Sequence, residues 1–150
     1  DLEEPLSFEM IDKNNKCSKN DYKFLSVFKW EARKGPDILL PSFYKAFPEG
    51  KGACLIIVTS LYHGDAALVV DEVKAHWHAA TSSDAGNVPQ GVIVLSGLPL
   101  RTLASLYRSV DAVVLPSRGE GWGRPYMEAM SMGLPVIATN WSGPTEFVNE

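Results

Sequence analysis

The stretch Leu115–Val136, LPSRGEGWGRPYMEAMSMGLPV, runs from the end of a buried strand through a glycine-rich turn and a helix to the start of another strand. It carries two glutamates, Glu120 and Glu128, with seven residues between them. Backbone N–H groups of such a turn, with the positive end of the helix behind them, favour phosphate. Carboxylates beside them accept hydrogen bonds from hydroxyls, at roughly twice the strength of neutral pairs. Phosphate and polyol together point to a sugar nucleotide. Each residue also has a purely structural reading. Gly121 and Gly123 suit a strand-to-helix turn, where φ > 0 costs glycine little. Pro125 suits the first helical position, and Glu128 complements a helix dipole. Their arrival together after VVLPS favours the functional reading, because ligands of open α/β sheets bind outside the carboxyl ends of the strands.

Upstream, strand and helix signals alternate. Phe24–Phe28 (FLSVF) is predicted as a strand, the turn KWEARKG comes next, and Gly35-Pro36-Asp37 opens a helix to about Phe47. Cys54–Ser60 is a second strand, and Ala66 to about Ala79 a helix with Ala67, Val70, Val73, Ala75 and Trp77 facing inward. Gly91–Ser96, Asp111–Ser117 and Pro135–Thr139 are further strands, separated by helices at Leu100–Ser109 and Pro125 to about Met132. Pro144 and Thr145 open a last helix. Continuous apolar strands alternating with helices predict an α/β fold, a Rossmann-like parallel sheet with helices on both faces and right-handed crossovers. Pro41 removes a hydrogen bond at a cost of ~3 kcal/mol, so the first helix is either kinked there or begins at Ser42. Residues 1 to about 21, including DKNNKCSKND, read as a linker or frayed N-terminal segment. Residues 22–150 form the folded domain.

At 150 residues, 45% hydrophobic and 21% charged, the chain has the composition of one soluble globular domain. A net charge of −4 with no run of lysines or arginines gives a nucleic-acid partner no electrostatic footprint. The apolar segments Ala53–Val58 and Val110–Leu115 are too short to cross a bilayer. The opening DLEEPLSFEM lacks the apolar core of a secretory signal, so a cytoplasmic or cytosol-facing location is the expectation. Cys17 and Cys54 have no metal-ligand spacing. Cys54 is expected to pack as a small hydrophobe and Cys17 to lie in a polar tail, without a structural disulfide. His63, His76 and His78 form no catalytic or metal set, since His76 and His78 do not share a helical face. Asn140-Trp141-Ser142 matches a glycosylation sequon and reads as a chance match, because a glycan there would obstruct the proposed site.

The first strand is not followed by G-x-G-x-x-G, and GKG at Gly50–Gly52 precedes a strand instead of following one, so neither a dinucleotide fingerprint nor a P-loop is present. The segment after the first strand is basic. Lys29 stands at the strand's carboxyl end and Arg33-Lys34-Gly35 in the turn, forming either a diphosphate contact or a solvated loop. With both turns at one sheet edge, Lys29 and Lys34 would face phosphates. The N–H groups of Gly121, Trp122, Gly123 and Arg124 would hold phosphate and sugar oxygens, and Glu128 a pair of ribose hydroxyls.

Four stretches carry a family resemblance: FLSVFKWEARKGPDILL, GLPLRTLASLYRSVDAVVLPS, EGWGRPYMEAMSMGLPVIAT and NWSGPTEFV. From about Tyr22 to Glu150 the chain resembles the C-terminal, donor-binding domain of retaining GT-B-fold glycosyltransferases (glycosyl transferases group 1, family 4 type), which include sucrose and glycogen synthases. The resemblance implies a hexosyl- or glycosyltransferase that moves a sugar from a nucleotide-diphosphate sugar to an acceptor with retention, without metal or cofactor. Glu120 would contact the transferred sugar, Glu128 the ribose, and Lys29 and Lys34 the diphosphate, whose departure they stabilise electrostatically. Phe28 departs from the glycine common before the basic residue, and Arg124 from an apolar residue; Arg124 adds either a phosphate contact or a surface charge. Trp122 either covers the sugar or packs on the neighbouring loop. The resemblance also implies an N-terminal acceptor domain of the same protein, so the chain reads as a donor-binding fragment inactive alone. Two alternatives stand beside it, a catalytically silent sugar-nucleotide-binding regulatory module and a GT-B-fold epimerase. The paired glutamates with EAM and GLPVIAT argue against the epimerase.

Overall fold

In the computed structural model, which describes residues 8–60, 66–81 and 90–148, the apolar runs are strands and the intervening segments helices. In chain order these are α1 (Phe8–Ile11), β1 (Tyr22–Lys29), α2 (Pro36–Ala46), β2 (Ala53–Ser60), α3 (Ala66–Thr81), β3 (Val92–Ser96), α4 (Leu100–Tyr107), β4 (Ala112–Leu115), α5 (Arg124–Ser131) and β5 (Val136–Ala138). The strands lie in the order β3-β2-β1-β4-β5 and every pair is parallel. From Ala53 to Thr59, β2 is buried throughout, as a strand covered on both faces must be. The chain winds from β1 through β2 to β3, then crosses back to β4 on the other side of β1. Right-handed crossovers therefore place α2 and α3, which pack together, on one face, and α4 and α5 on the other. Pairing of Phe24 with Ala112 and Leu25 with Val113 sets the carboxyl ends of β1 and β4 side by side. That is the switch point of the winding, and the basic loop and the glutamate loop both leave the sheet there.

Local expectations are met unevenly. α2 runs unbroken from Pro36 to Ala46 with Pro41 inside it, instead of starting at Ser42. Burial of Leu39, Leu40, Phe43 and Tyr44 explains this, since each contributes about 1.5–3 kcal/mol against the ~3 kcal/mol that proline costs. On α3 the buried positions are Val69 and Val73, with Trp77 partly buried one turn on, while Ala67 and Ala75 are exposed. The larger apolar side chains claim the inward stripe. The helix expected from Pro144 is a 3₁₀ turn, Gly143–Glu146. No described helix is long and apolar enough to cross a membrane. His63 lies outside the described residues.

The N-terminal segment holds the clearest correction. Cys17 and Cys54 form a disulfide with a Cα–Cα distance of 5.5 Å, against the expectation of none. The Asp12 carboxylate accepts the N–H groups of Lys16 at 2.7 Å and Cys17 at 2.8 Å, folding the segment into a turn. The carbonyl of Lys16 accepts the Gly91 N–H at 2.7 Å, just before β3. Together these carry Cys17 to the start of β2. The path depends on one acidic side chain and on distant backbone, neither of which gives a periodic signal in a polar tail.

Candidate functional site

Two loops meet at the carboxyl ends of β1 and β4. After β1 the chain makes a 3₁₀ turn, Ala32–Lys34, and enters α2 through Gly35, whose φ of 75° favours glycine. A Cβ on Gly35 would stand 2.3 Å from the carbonyl oxygen of Pro116, so the first loop lies directly on the second. Arg118 joins them. Its N–H donates to Arg33 O at 2.8 Å, and its guanidinium donates to Ala32 O at 2.7 Å and to both carboxylate oxygens of Asp37 at 2.9 and 2.7 Å. The bond from Arg118 holds the Asp37 carboxyl below its ordinary pKa. This bidentate fork fixes orientation as well as distance.

Inside this junction Lys34 Nζ lies 2.6 Å from Glu120 Oε1, and Arg33 Nη1 lies 3.4 Å from Oε2. Burial resists the charge on Glu120. Hydrogen bonds from Lys34 and Ser117 and the fields of Lys34 and Arg33 nonetheless hold its pKa below the usual carboxylate value. The backbone of Glu120 is fixed too: its N–H donates to Ser142 Oγ at 2.9 Å, and its carbonyl accepts the Gly143 N–H at 3.1 Å. The turn then reaches α5 through Gly123, at φ 82°, where a Cβ would stand 2.4 Å from the Tyr126 ring. Tyr126 anchors the helix by donating to Leu115 O at 2.9 Å, and burial followed by the charge of Glu120 pushes its phenol up to about 12.

Glu128 lies one turn into α5. Its Oε2 accepts the Tyr107 hydroxyl at 3.0 Å, and its Oε1 is 3.9 Å from the Arg124 guanidinium. It lines a cavity of about 630 Å³ over the ends of β1 and β2, shared with Lys29, Arg33, Lys34, Arg124 and Thr59. The size suits a ligand of a few hundred daltons. Four cationic side chains border this space, against the carboxylates of Glu31 and Glu128. Thr59 contributes a buried hydroxyl with no partner among the described residues.

The structure thus gathers Lys29, Lys34, Arg124 and Glu128 around one cavity. Glu120, Gly121, Trp122 and Gly123 are not among the described residues that line it. Glu120 faces Lys34, and Trp122 packs on the neighbouring loop with its ring centroid 5.3 Å from that of Phe147. Arg33, Arg118, Tyr107 and Ser142 receive no role from the sequence alone. Arg33 stands beside an assigned lysine and is the most accessible of the four to such reasoning. The others act across loops or helices far apart in sequence.

A family model described as glycosyl transferases group 1 matches residues 20–150. The chain is 32% identical over 110 residues to a D-inositol 3-phosphate glycosyltransferase of Segniliparus rotundus, covering 73% of this chain and 23% of that protein. It is 28% identical over 141 residues to alpha-1,3/1,6-mannosyltransferase alg-2 of Neurospora crassa, covering 84% of this chain and 30% of the relative. The chain therefore spans 23–30% of the length of these curated relatives. The fold superposes with a TM-score of 0.70 on the C-terminal domain of a glycosyl transferase group 1 family protein from Francisella tularensis, at 18% identity over 98% of this chain and 72% of that one. On WaaG, a glycosyltransferase involved in lipopolysaccharide biosynthesis, it scores 0.66 at 23% identity, covering 95% of this chain and 35% of that one. At these identities the structural likeness speaks for the fold.

Proposed function

The chain belongs to the glycosyl transferases group 1 family, and on that footing we propose that it is the domain that binds a nucleotide-diphosphate sugar for transfer to an acceptor with retention. The observation that carries this reading is the cavity over the carboxyl ends of β1 and β2, where Lys29, Arg33, Lys34 and Arg124 converge beside Glu128. Cations at that density suit a diphosphate, and a carboxylate among them suits vicinal hydroxyls, which we assign to the ribose. Lys34 has three donors and spends one on Glu120. The other two remain for phosphate oxygens, so one ammonium links the carboxylate we assign to the sugar with the leaving group.

In transfer, the bond between the anomeric carbon and the β-phosphate oxygen breaks, and the electron pair leaves with the diphosphate. Lys29 and Lys34 stabilise that charge without a metal, at ~3–4 kcal/mol per well-placed donor. The acceptor oxygen forms the new bond on the same face, and its proton passes to the departing diphosphate oxygen. The mannosyl transfer in the name of one relative makes a hexose the donor sugar we favour, and the acceptor is bound by an N-terminal domain of the same protein. Calorimetric titration with UDP, GDP and ADP against their monophosphates checks the phosphate assignment. At least one diphosphate is expected to bind about tenfold tighter than its monophosphate, one extra charge-assisted contact being worth about 1.5 kcal/mol. Equal affinity for both would overturn the diphosphate site.

A further inference from the structure

Tyr107 ends α4 with its side chain buried and its hydroxyl 3.0 Å from Glu128 Oε2. The two residues come from different helices, with β4 between them in the chain. Burial, the charge of Glu128 and the bond itself all push the Tyr107 phenol upward, so it is the donor and Glu128 the acceptor. The other restraint on Glu128 is weak, because Arg124 is exposed and 3.9 Å away. A close-packed core fixes a buried tyrosine in one rotamer, which makes it a rigid support for a partly exposed carboxylate.

We propose that Tyr107 is the positioning residue of the ligand site: it pins one oxygen of Glu128 and leaves Oε1 for the hydroxyls of the bound nucleotide. This rests on Glu128 as the ribose contact. Tyr107 touches no ligand. Its effect is to remove the rotamer freedom that Glu128 would otherwise lose on binding.

The test is equilibrium titration of the protein and of its Tyr107→Phe, Glu128→Gln and double variants with UDP, GDP and ADP and their 2′,3′-dideoxy counterparts. The unsubstituted protein is expected to prefer the ribonucleotide. Tyr107→Phe should weaken ribonucleotide binding about 5–10-fold, the worth of one hydrogen bond to a charged group. Dideoxynucleotide binding should stay within about twofold, and the double variant should be no worse than Glu128→Gln. An undiminished preference in Tyr107→Phe overturns the proposal. So does equal weakening for both sugars, which is what a merely structural role produces. No preference in the unsubstituted protein removes the ribose contact itself, and the proposal with it. Should Tyr107→Phe fail to fold, 3-fluorotyrosine at position 107 keeps the shape and alters only donor strength. An unchanged preference there overturns the proposal equally.

Discussion

The two edges of the parallel sheet are held by different chemistry. At the amino ends of β1, β2 and β3 the ties are covalent and backbone-centred: the Cys17–Cys54 disulfide, Asp12 over two N–H groups, and Gly91 on Lys16. At the carboxyl ends of β1 and β4 they are ionic, with Lys34 and Arg33 on Glu120 and Arg118 on Asp37. A disulfide constrains the chain and offers a ligand nothing. An ammonium that spends one donor on a carboxylate still has others to give. The amino edge therefore serves stability alone while the carboxyl edge serves both stability and recognition, so perturbing the first should leave ligand binding untouched.

Reduction of the disulfide is the test of that separation. The bridge closes a sequence separation of 37, worth ~4 kcal/mol of chain entropy. The urea midpoint should drop on adding dithiothreitol, while nucleotide affinity of the folded protein stays put. A midpoint that does not move would leave the amino edge without its stabilising role. At the other edge, Gly35→Ala should cost about 3 kcal/mol, from the αL conformation and the overlap with Pro116. Because it pushes the two loops apart, it should weaken nucleotide binding as well, seen as a lower Tm together with a raised Kd. A lower Tm with unchanged Kd would mean that the loop junction does not shape the site.

Lys34→Ala reverses the balance between the two readouts. It strands Glu120, at a cost of about 1–2 kcal/mol once partial solvent access is allowed for. It also removes a cavity cation, so diphosphate affinity should fall about tenfold. The smallest effect lies in acid. Because the folded pKa of Glu120 is depressed, its contribution is present above the ordinary carboxylate value of 4.5 and is lost as pH falls through the lower folded value. Glu120→Gln should therefore flatten the stability profile below about pH 4.5 in denaturant titrations. A parallel loss in both proteins would show that the Lys34 pair stores no pH-dependent stability.

The same contrast governs what is legible in the sequence. Strand runs such as CLIIVTS and the turn GEGWG declare themselves locally, because burial on both faces and tight backbone geometry restrict residue type over a few neighbouring positions. Lys29, Lys34, Arg124 and Glu128 can be brought to one edge from such local signals plus the rule for parallel sheets. Tyr107 with Glu128 spans 21 positions, and Arg118 with Asp37 spans 81. Such pairs exist only once the order β3-β2-β1-β4-β5 is known, and nothing local announces them. For Trp122 the sequence leaves a fork between ligand and loop, and its ring lies against Phe147, a neighbour that no local signal names. Cys17 escapes a sequence reading because DKNNKCSKND has no period, and its route to Cys54 depends on Asp12.

The decisive measurement is saturation-transfer NMR of the protein with UDP, GDP and ADP sugars, recorded beside Glu128→Ala. One nucleotide sugar should show saturation at its ribose protons, and that signal should vanish in the variant. Ribose signals of equal strength in both proteins, or none from any of the sugars with a folded protein, would contradict a donor site built on Glu128.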